Sequence, residues 1–214
     1  MSNTHRPVDP SPSSLALATV SMQYASLHHS SHCPLGMYIV PSAHSLMCWD
    51  AVFFVHRGHY AGAILKLRLN FPGDYPNRPP TIQFVTDIFH PLIATDGKFN
   101  LSARFRPWRP QEHTVFHVLA FVKLSFSTVG LNKLKEADCV NQEAYKFHKT
   151  PTSFDALAKQ SAMLSQSDSA LFDSDHPSLA GKVLDGITFR DMSQDQQRLV
   201  RKTLGLQEWG DVSI

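Results

Sequence analysis

The chain is poor in the features that mark secreted, membrane-spanning or polyanion-binding proteins. Its 214 residues include three cysteines, Cys33, Cys48 and Cys139, an odd number with no Cys-x-x-Cys spacing. A disulfide framework is therefore excluded and a reducing compartment is expected. Charge is sparse at 18%, against ~25% in ordinary globular chains. The formal net charge is +2 and no dense Lys/Arg run occurs, so the basic stripe of a nucleic-acid binder is missing. Near the start, the apolar run Leu15 to Val20 falls far short of the ~20 residues that span a bilayer. Only Arg6 precedes it as a basic residue, so a secretory signal is not expected and the protein should be cytoplasmic, without direct membrane insertion. No Walker loop, GxGxxG or GxSxG motif appears, which leaves nucleotide cofactors and serine-hydrolase chemistry without an anchor.

What is present suffices for a real core. Hydrophobic residues make up 43%, and low net charge with this apolar content argues against global disorder. At ~150 residues per domain, the length corresponds to about 1.4 domains, one core plus an appendage. The stretch 1–14 is proline- and serine-rich (Pro7, Pro10, Ser11, Pro12, Ser13, Ser14) and reads as a tail. A helix is expected over Leu15 to Leu27. Strands follow at Gly36 to Pro41, Leu46 to His56, Ala63 to Phe71 and Thr81 to Val85. In the second, Trp49, Ala51, Phe53 and Val55 share one parity; in the third, Leu65, Leu67, Leu69 and Phe71 do. Their hairpin spacing predicts an antiparallel sheet. Glu112 to Phe126 reads as a helix apolar on nearly all sides, hence buried. Further helices are expected over Asn141 to His148 and Ser153 to Phe172. A last one opens on a capping box, Ser193 with Gln196, and ends at Gly205.

The segment Tyr75-Pro76-Asn77-Arg78-Pro79-Pro80, then Phe84, then His90-Pro91, resembles the core of ubiquitin-conjugating enzymes. Trp49-x-Ala51, Tyr60-x-Gly62 and Trp108 fit the same pattern. The resemblance covers Leu15 to Lys149 and implies an α+β fold: a four-stranded antiparallel meander with flanking helices. It implies a conjugating-enzyme-like domain over 15–150 and a helical C-terminal extension, packed on that core, over 151–214. The Tyr-Pro turn itself reads mainly as scaffold, because prolines fix φ and an aromatic pins the turn to the core.

Where the sequence departs from that family, chemistry is lost. Active members carry His-Pro-Asn, and eight residues after the Asn a cysteine that holds ubiquitin as a thioester. Here His90 and Pro91 are retained, Leu92 fills the Asn position and Asn100 the cysteine position. An amide is not a nucleophile as a thiolate is, and a leucine side chain has no donor for an oxyanion. The resemblance thus implies a catalytically dead variant, not an enzyme. Neither remaining candidate is a convincing substitute. Cys139 follows Glu136 and Asp138, whose charge disfavours a thiolate, and Cys48 sits beside Trp49 in a strand. The cluster His28, His29, His32 and Cys33 lacks a matching second group of ligands, so no metal and no cofactor are expected.

Among inactive variants, the chain-building type is usually shorter, and the sorting-complex type carries a long coiled coil. A third type, the Fused Toes or AKT-interacting protein family, is similar in His90-Pro91-Leu92-Ile93 and in Phe105-Arg106-Pro107-Trp108-Arg109. It is also similar in Asn141 to Tyr145, Ala170 to Asp173 and Ile187-x-Phe189. That resemblance implies an adaptor joining a Hook-like coiled-coil protein and an FHIP-like protein, and through them linking early endosomes to cytoplasmic dynein. A ubiquitin-binding or chain-building role is the alternative. Phe154, Leu157, Leu164 and Leu171 form an apolar stripe that either faces a partner helix or packs on the chain's own core. Ser161 and Asp168 interrupt it, against a long coiled coil, and Trp209 is a further candidate anchor.

Overall fold

The computed structural model describes residues 11–29, 32–172 and 184–206. In chain order its elements are α1 (Ser14–Ser26), β1 (Met37–Pro41), β2 (Cys48–Phe54), β3 (Ile64–Asn70), β4 (Thr81–Phe84), α2 (Val115–Ser125), α3 (Thr128–Asn132), α4 (Gln142–His148), α5 (Pro151–Leu164), α6 (Asp168–Leu171) and α7 (Gln194–Thr203). The four strands form one antiparallel sheet in the order β1-β2-β3-β4, the meander expected.

Alternation sets the register. Trp49, Ala51 and Phe53 of β2 stand opposite Leu69, Leu67 and Leu65 of β3, and all six are buried. Shifting either strand by one residue would turn this whole set outward, so the pairing is strongly specified. The inner face meets α2, where Val115, Val118, Leu119 and Val122 are fully buried. Leu124 remains 36% exposed, so α2 keeps one narrow wet edge rather than being enclosed all round. It is also shorter than expected, starting at Val115 after Thr114 donates its backbone N–H to His117 Nδ1 at 3.2 Å.

The Tyr-Pro turn is scaffold, pinned from three sides. Tyr75 is fully buried, and its hydroxyl donates to Gln23 Oε1 at 2.7 Å. The same oxygen accepts the Val115 N–H at 2.9 Å, so one α1 side chain ties the turn to the start of α2. Trp108 Nε1 donates to Pro76 O at 2.7 Å.

The helix expected over Ser153 to Phe172 is two helices. α5 opens on Pro151, whose missing N–H costs nothing in a first turn, and it stops at Leu164. Ser165 Oγ then donates to Ala162 O at 2.6 Å and accepts the N–H of Ile64 at 3.0 Å. Such local hydroxyl–backbone bonds compete with helix continuation, and this one also fastens α5 to the first residue of β3. Phe154, Ala158 and Ala162 of α5 belong to the same hydrophobic cluster as the sheet, so the core runs beyond residue 150. α7, by contrast, has no buried residue: among the described residues beyond 150, α5 packs on the core, while nearly all of α7 is exposed.

Candidate functional site

The retained histidine is structural. His90 is fully buried; its ring lies 4.6 Å from that of Phe126 and 5.6 Å from that of Tyr60, centroid to centroid. Nε2 stands 3.0 Å from Ser125 O, and Nδ1 accepts the N–H of Leu92 at 3.0 Å. This pattern requires the proton on Nε2. Burial pushes the ring pKa down to about 4, so it is neutral at pH 7 and fixes the backbone on which the next residues sit. Pro91 O accepts the N–H of Asn141 at 3.0 Å, and Leu92 O accepts that of Asn100 at 2.9 Å. Positions 92 and 100 are therefore direct neighbours in space, as the motif spacing requires.

Neither side chain carries a thiol, and Leu92 carries no hydrogen-bond donor. Leu92 is fully buried, its side chain in the core rather than beside a reacting atom. Asn100 uses both ends of its amide. Nδ2 donates to Asp138 O at 2.7 Å, while Oδ1 accepts Ser102 Oγ at 2.7 Å and the Ser102 N–H at 3.2 Å. It thereby caps the short 3-10 turn Leu101–Ala103 and ties it to a second one, Glu136–Asp138. An amide nitrogen conjugated with its carbonyl cannot attack an activated carboxyl, and here it is also a committed donor.

The three thiols are subdued. Cys139 lies beside the tie to Asp138, 5% exposed, with its Sγ 3.3 Å from Lys135 O. Burial first, then the Asp138 and Glu136 carboxylates, push its pKa up to about 11. At pH 7 that leaves about one thiolate in ten thousand. Burial likewise raises the Cys48 and Cys33 thiols, with Arg68 and Lys123 respectively opposing part of the shift. In the histidine cluster, the ring of His32 packs 5.5 Å from that of Phe116. Among the described residues, no group of three or more His, Cys, Asp or Glu is placed to hold a metal, and no helix is long and apolar enough to cross a membrane.

The stripe proposed for partner contact does not form one surface. Phe154 is fully buried, ringed by His59, Tyr60, Phe89 and His148, so it faces inward and cannot meet a partner. Leu157 is half-buried, Leu164 is 61% exposed, and Leu171 is half-buried on the separate helix α6. Sequence spacing assumed a continuous helix; the break at Ser165 puts Leu171 out of phase with Leu164. Trp209 lies outside the described residues.

One arrangement went unpredicted. Asp50, on the outer face of β2, is fully buried. Its Oδ1 accepts Arg68 Nε at 2.8 Å, and its Oδ2 accepts the N–H groups of Asp185 and Gly186 at 2.7 and 2.9 Å. Arg68 also reaches Asp185 Oδ2 at 3.5 Å. Lys66, on the same face, donates to Leu171 O at 2.7 Å and lies over the ring of Phe189. The segment after residue 184 is thus latched across the outer face of the sheet. The only sequence cue was that Asp50 breaks an otherwise apolar strand from Trp49 to Val55.

The description "Ubiquitin-conjugating enzyme" matches residues 20–162, which takes in the sheet, the His90-Pro91 segment and α2 to most of α5. The chain belongs to the ubiquitin-conjugating enzyme family. Within that family it is similar to a crossbronx-like protein of Drosophila mojavensis, 34% identical over 95 residues (43% of this chain, 37% of the relative). It is also similar to a crossbronx homolog of Culex quinquefasciatus, 33% identical over 95 residues (43% and 41%), and to an AKTIP homolog of Nematostella vectensis, 29% identical over 116 residues (53% and 37%). The chain therefore matches well under half the length of these curated relatives. Their names agree with the resemblance to the Fused Toes, or AKT-interacting protein, family. The latch at 185–186 and all of α7 fall beyond the family match.

Proposed function

We propose that this chain is a non-catalytic member of the conjugating-enzyme family that works as an adaptor subunit of a Hook/FHIP-type complex. In this reading it sits in the cytoplasm and reaches early endosomes through its partners, a Hook-like coiled-coil protein and an FHIP-like protein. Cytoplasmic dynein is engaged indirectly. The observation that carries the non-catalytic half is Asn100. It fills the nucleophile position, and its amide is spent on Asp138 O and Ser102. Leu92, buried in the core, has no side-chain donor to steady an oxyanion beside it. A fold kept intact around a disabled centre serves as a binding surface, and similarity to a protein named an AKTIP homolog supports the adaptor half.

Co-purification tests the adaptor half. The full chain should retain a Hook-like coiled-coil protein and an FHIP-like protein through gel filtration. Failure to retain either, together with saturable binding of free ubiquitin by calorimetry, would overturn this reading in favour of a ubiquitin-binding or chain-building variant.

A further inference from the structure

Ser102 lies two residues beyond Asn100, in a cationic stretch of a chain that is otherwise close to neutral. From Gly97 to Gln111 there are four cations, Lys98, Arg104, Arg106 and Arg109, and no carboxylate, against a net charge of +2 for the whole chain. Arg109 pairs with Glu112 at 2.9 Å. Lys98, Arg104 and Arg106 pair with no carboxylate among the described residues, and all three are exposed, as is Ser102.

The serine belongs to no strand or long helix. It sits in the single 3-10 turn Leu101–Ala103, which the N–H groups of Arg104 and Phe105 close on Leu101 O. A turn of this kind opens locally at far lower cost than a sheet ladder, which lets an enzyme reach the hydroxyl without unfolding the core.

That hydroxyl already meets a cation. Ser102 Oγ donates to Asn100 Oδ1 at 2.7 Å and accepts from Arg106 Nη2 at 3.2 Å. Ser127 and Ser167, by contrast, donate to Leu124 O and Leu164 O, the ordinary fate of a serine beside a helix. An anionic group carried on Ser102 Oγ would face the Arg106 guanidinium, whose planar fork of N–H donors suits phosphate oxygens. The acidic turn Glu136–Asp138 is bonded to the other end of the Asn100 amide, away from Ser102.

We propose that Ser102 is a phosphorylation site for a basophilic serine/threonine kinase, and that Arg106 holds the phosphate. The kinase transfers the γ-phosphoryl group of ATP. The bond from the γ-phosphorus to the β–γ bridging oxygen breaks and a bond from that phosphorus to Ser102 Oγ forms; the hydroxyl proton passes to a base of the kinase and ADP leaves. Ser102 Oγ then has no proton to give, so its bond to Asn100 Oδ1 is lost, while the Ser102 N–H keeps its own bond to that oxygen. Charge changes more. A phosphoserine carries about −1.5 to −2 at pH 7, which cancels close to half of the positive charge between Gly97 and Gln111. The modification switches the charge of an exposed loop beside Asn100, whichever partner the chain has.

The test uses the full chain, ATP and the catalytic domain of a protein kinase C as the basophilic probe, with an acidophilic kinase of the casein-kinase type alongside. Peptide mass spectrometry should place phosphate on Ser102 with the basophilic kinase, roughly tenfold or more faster than with the acidophilic one. Ser102→Ala should remove most of the basophilic kinase's total incorporation and leave the melting temperature unchanged. No phosphate on Ser102, equal rates with the two kinases, or total incorporation unaffected by Ser102→Ala would overturn the site. A Ser102→Ala protein that melts several degrees lower would do the same, since the hydroxyl would then be needed by the fold.

The seat of the phosphate has its own readout. Phosphoserine placed at position 102 by genetic encoding is titrated by phosphorus NMR, with and without Arg106→Gln. The guanidinium should favour the dianion, so Arg106→Gln should raise the phosphate's second pKa by about half a unit or more. Lys98, Arg104, Glu136 and Asp138 are present in both proteins, so the difference reports Arg106. Identical titrations would show that Arg106 does not hold the phosphate.

Discussion

Replacing Asp50 by alanine should cost far more than a polar-to-apolar change on a sheet surface usually does. The carboxylate is fully buried and accepts three hydrogen bonds, from Arg68 Nε and from the N–H groups of Asp185 and Gly186. Removing one partner of a buried ion pair costs ~3–5 kcal/mol when the remaining charge is sealed in. Arg68 is 20% exposed and keeps a 3.5 Å contact to Asp185, which lowers that figure. The two N–H groups would each lose a charge-assisted bond worth ~1.5–3 kcal/mol, but residues 185–186 can lift off and hydrate. A net loss of about 3 kcal/mol follows, which in a chain of this size is a drop in melting temperature of roughly 6–12 °C. Asp50→Asn keeps one acceptor and should lose about half as much. Thermal unfolding followed by circular dichroism measures the effect, and amide exchange at Asp185 and Gly186 should accelerate in parallel. An Asp50→Ala protein melting within about 2 °C of wild type would refute the idea that this carboxylate holds the C-terminal segment on the sheet.

Three further outcomes follow from the site. Asn100→Cys alone should give no thiol-reducible ubiquitin adduct with activating enzyme and ATP, because Leu92 offers no donor and the tie from Asn100 to Asp138 O is lost. Cys139 should react slowly with iodoacetamide at pH 7, its rate rising about tenfold per pH unit and levelling off only above the thiol's pKa of about 11, read as adduct by mass spectrometry. His90 should make stability fall in acid. Its pKa is about 4 when folded and ~6.5 when unfolded, so between those values the unfolded chain holds the extra proton. The contribution is complete above pH 6.5 and shrinks by up to about 3 kcal/mol as pH falls towards 4; urea midpoints across that window, compared with His90→Gln, isolate it.

The strands were legible because period-2 alternation in Trp49 to Val55 and Leu65 to Phe71 is a local signal that the pairing then obeys. Leu92 and Asn100 were legible through the resemblance to the conjugating-enzyme motif, and the structure adds what a motif cannot hold, the Asn100 bonds to Asp138 and Ser102. The ends of α7 were written in Ser193, Gln196 and Gly205, all local capping chemistry. What escaped was non-local. Burial of Asp50 and Lys66 depends on residues more than a hundred positions away. The break after Leu164 depends on Ser165 bonding to β3, which the apolar spacing from Phe154 to Leu171 does not encode. Phe154, read as a possible partner contact, is core because Tyr60 and Phe89 converge on it from distant loops.

The central claim is that the thioester centre is chemically empty, and a charging assay tests it most directly. Purified chain is incubated with ubiquitin-activating enzyme, ATP and labelled ubiquitin, and resolved on gels with and without reductant. The account predicts no adduct under either condition, while an active conjugating enzyme in the same mixture is charged. A reductant-sensitive ubiquitin adduct, above all one lost on Cys139→Ser, would contradict it.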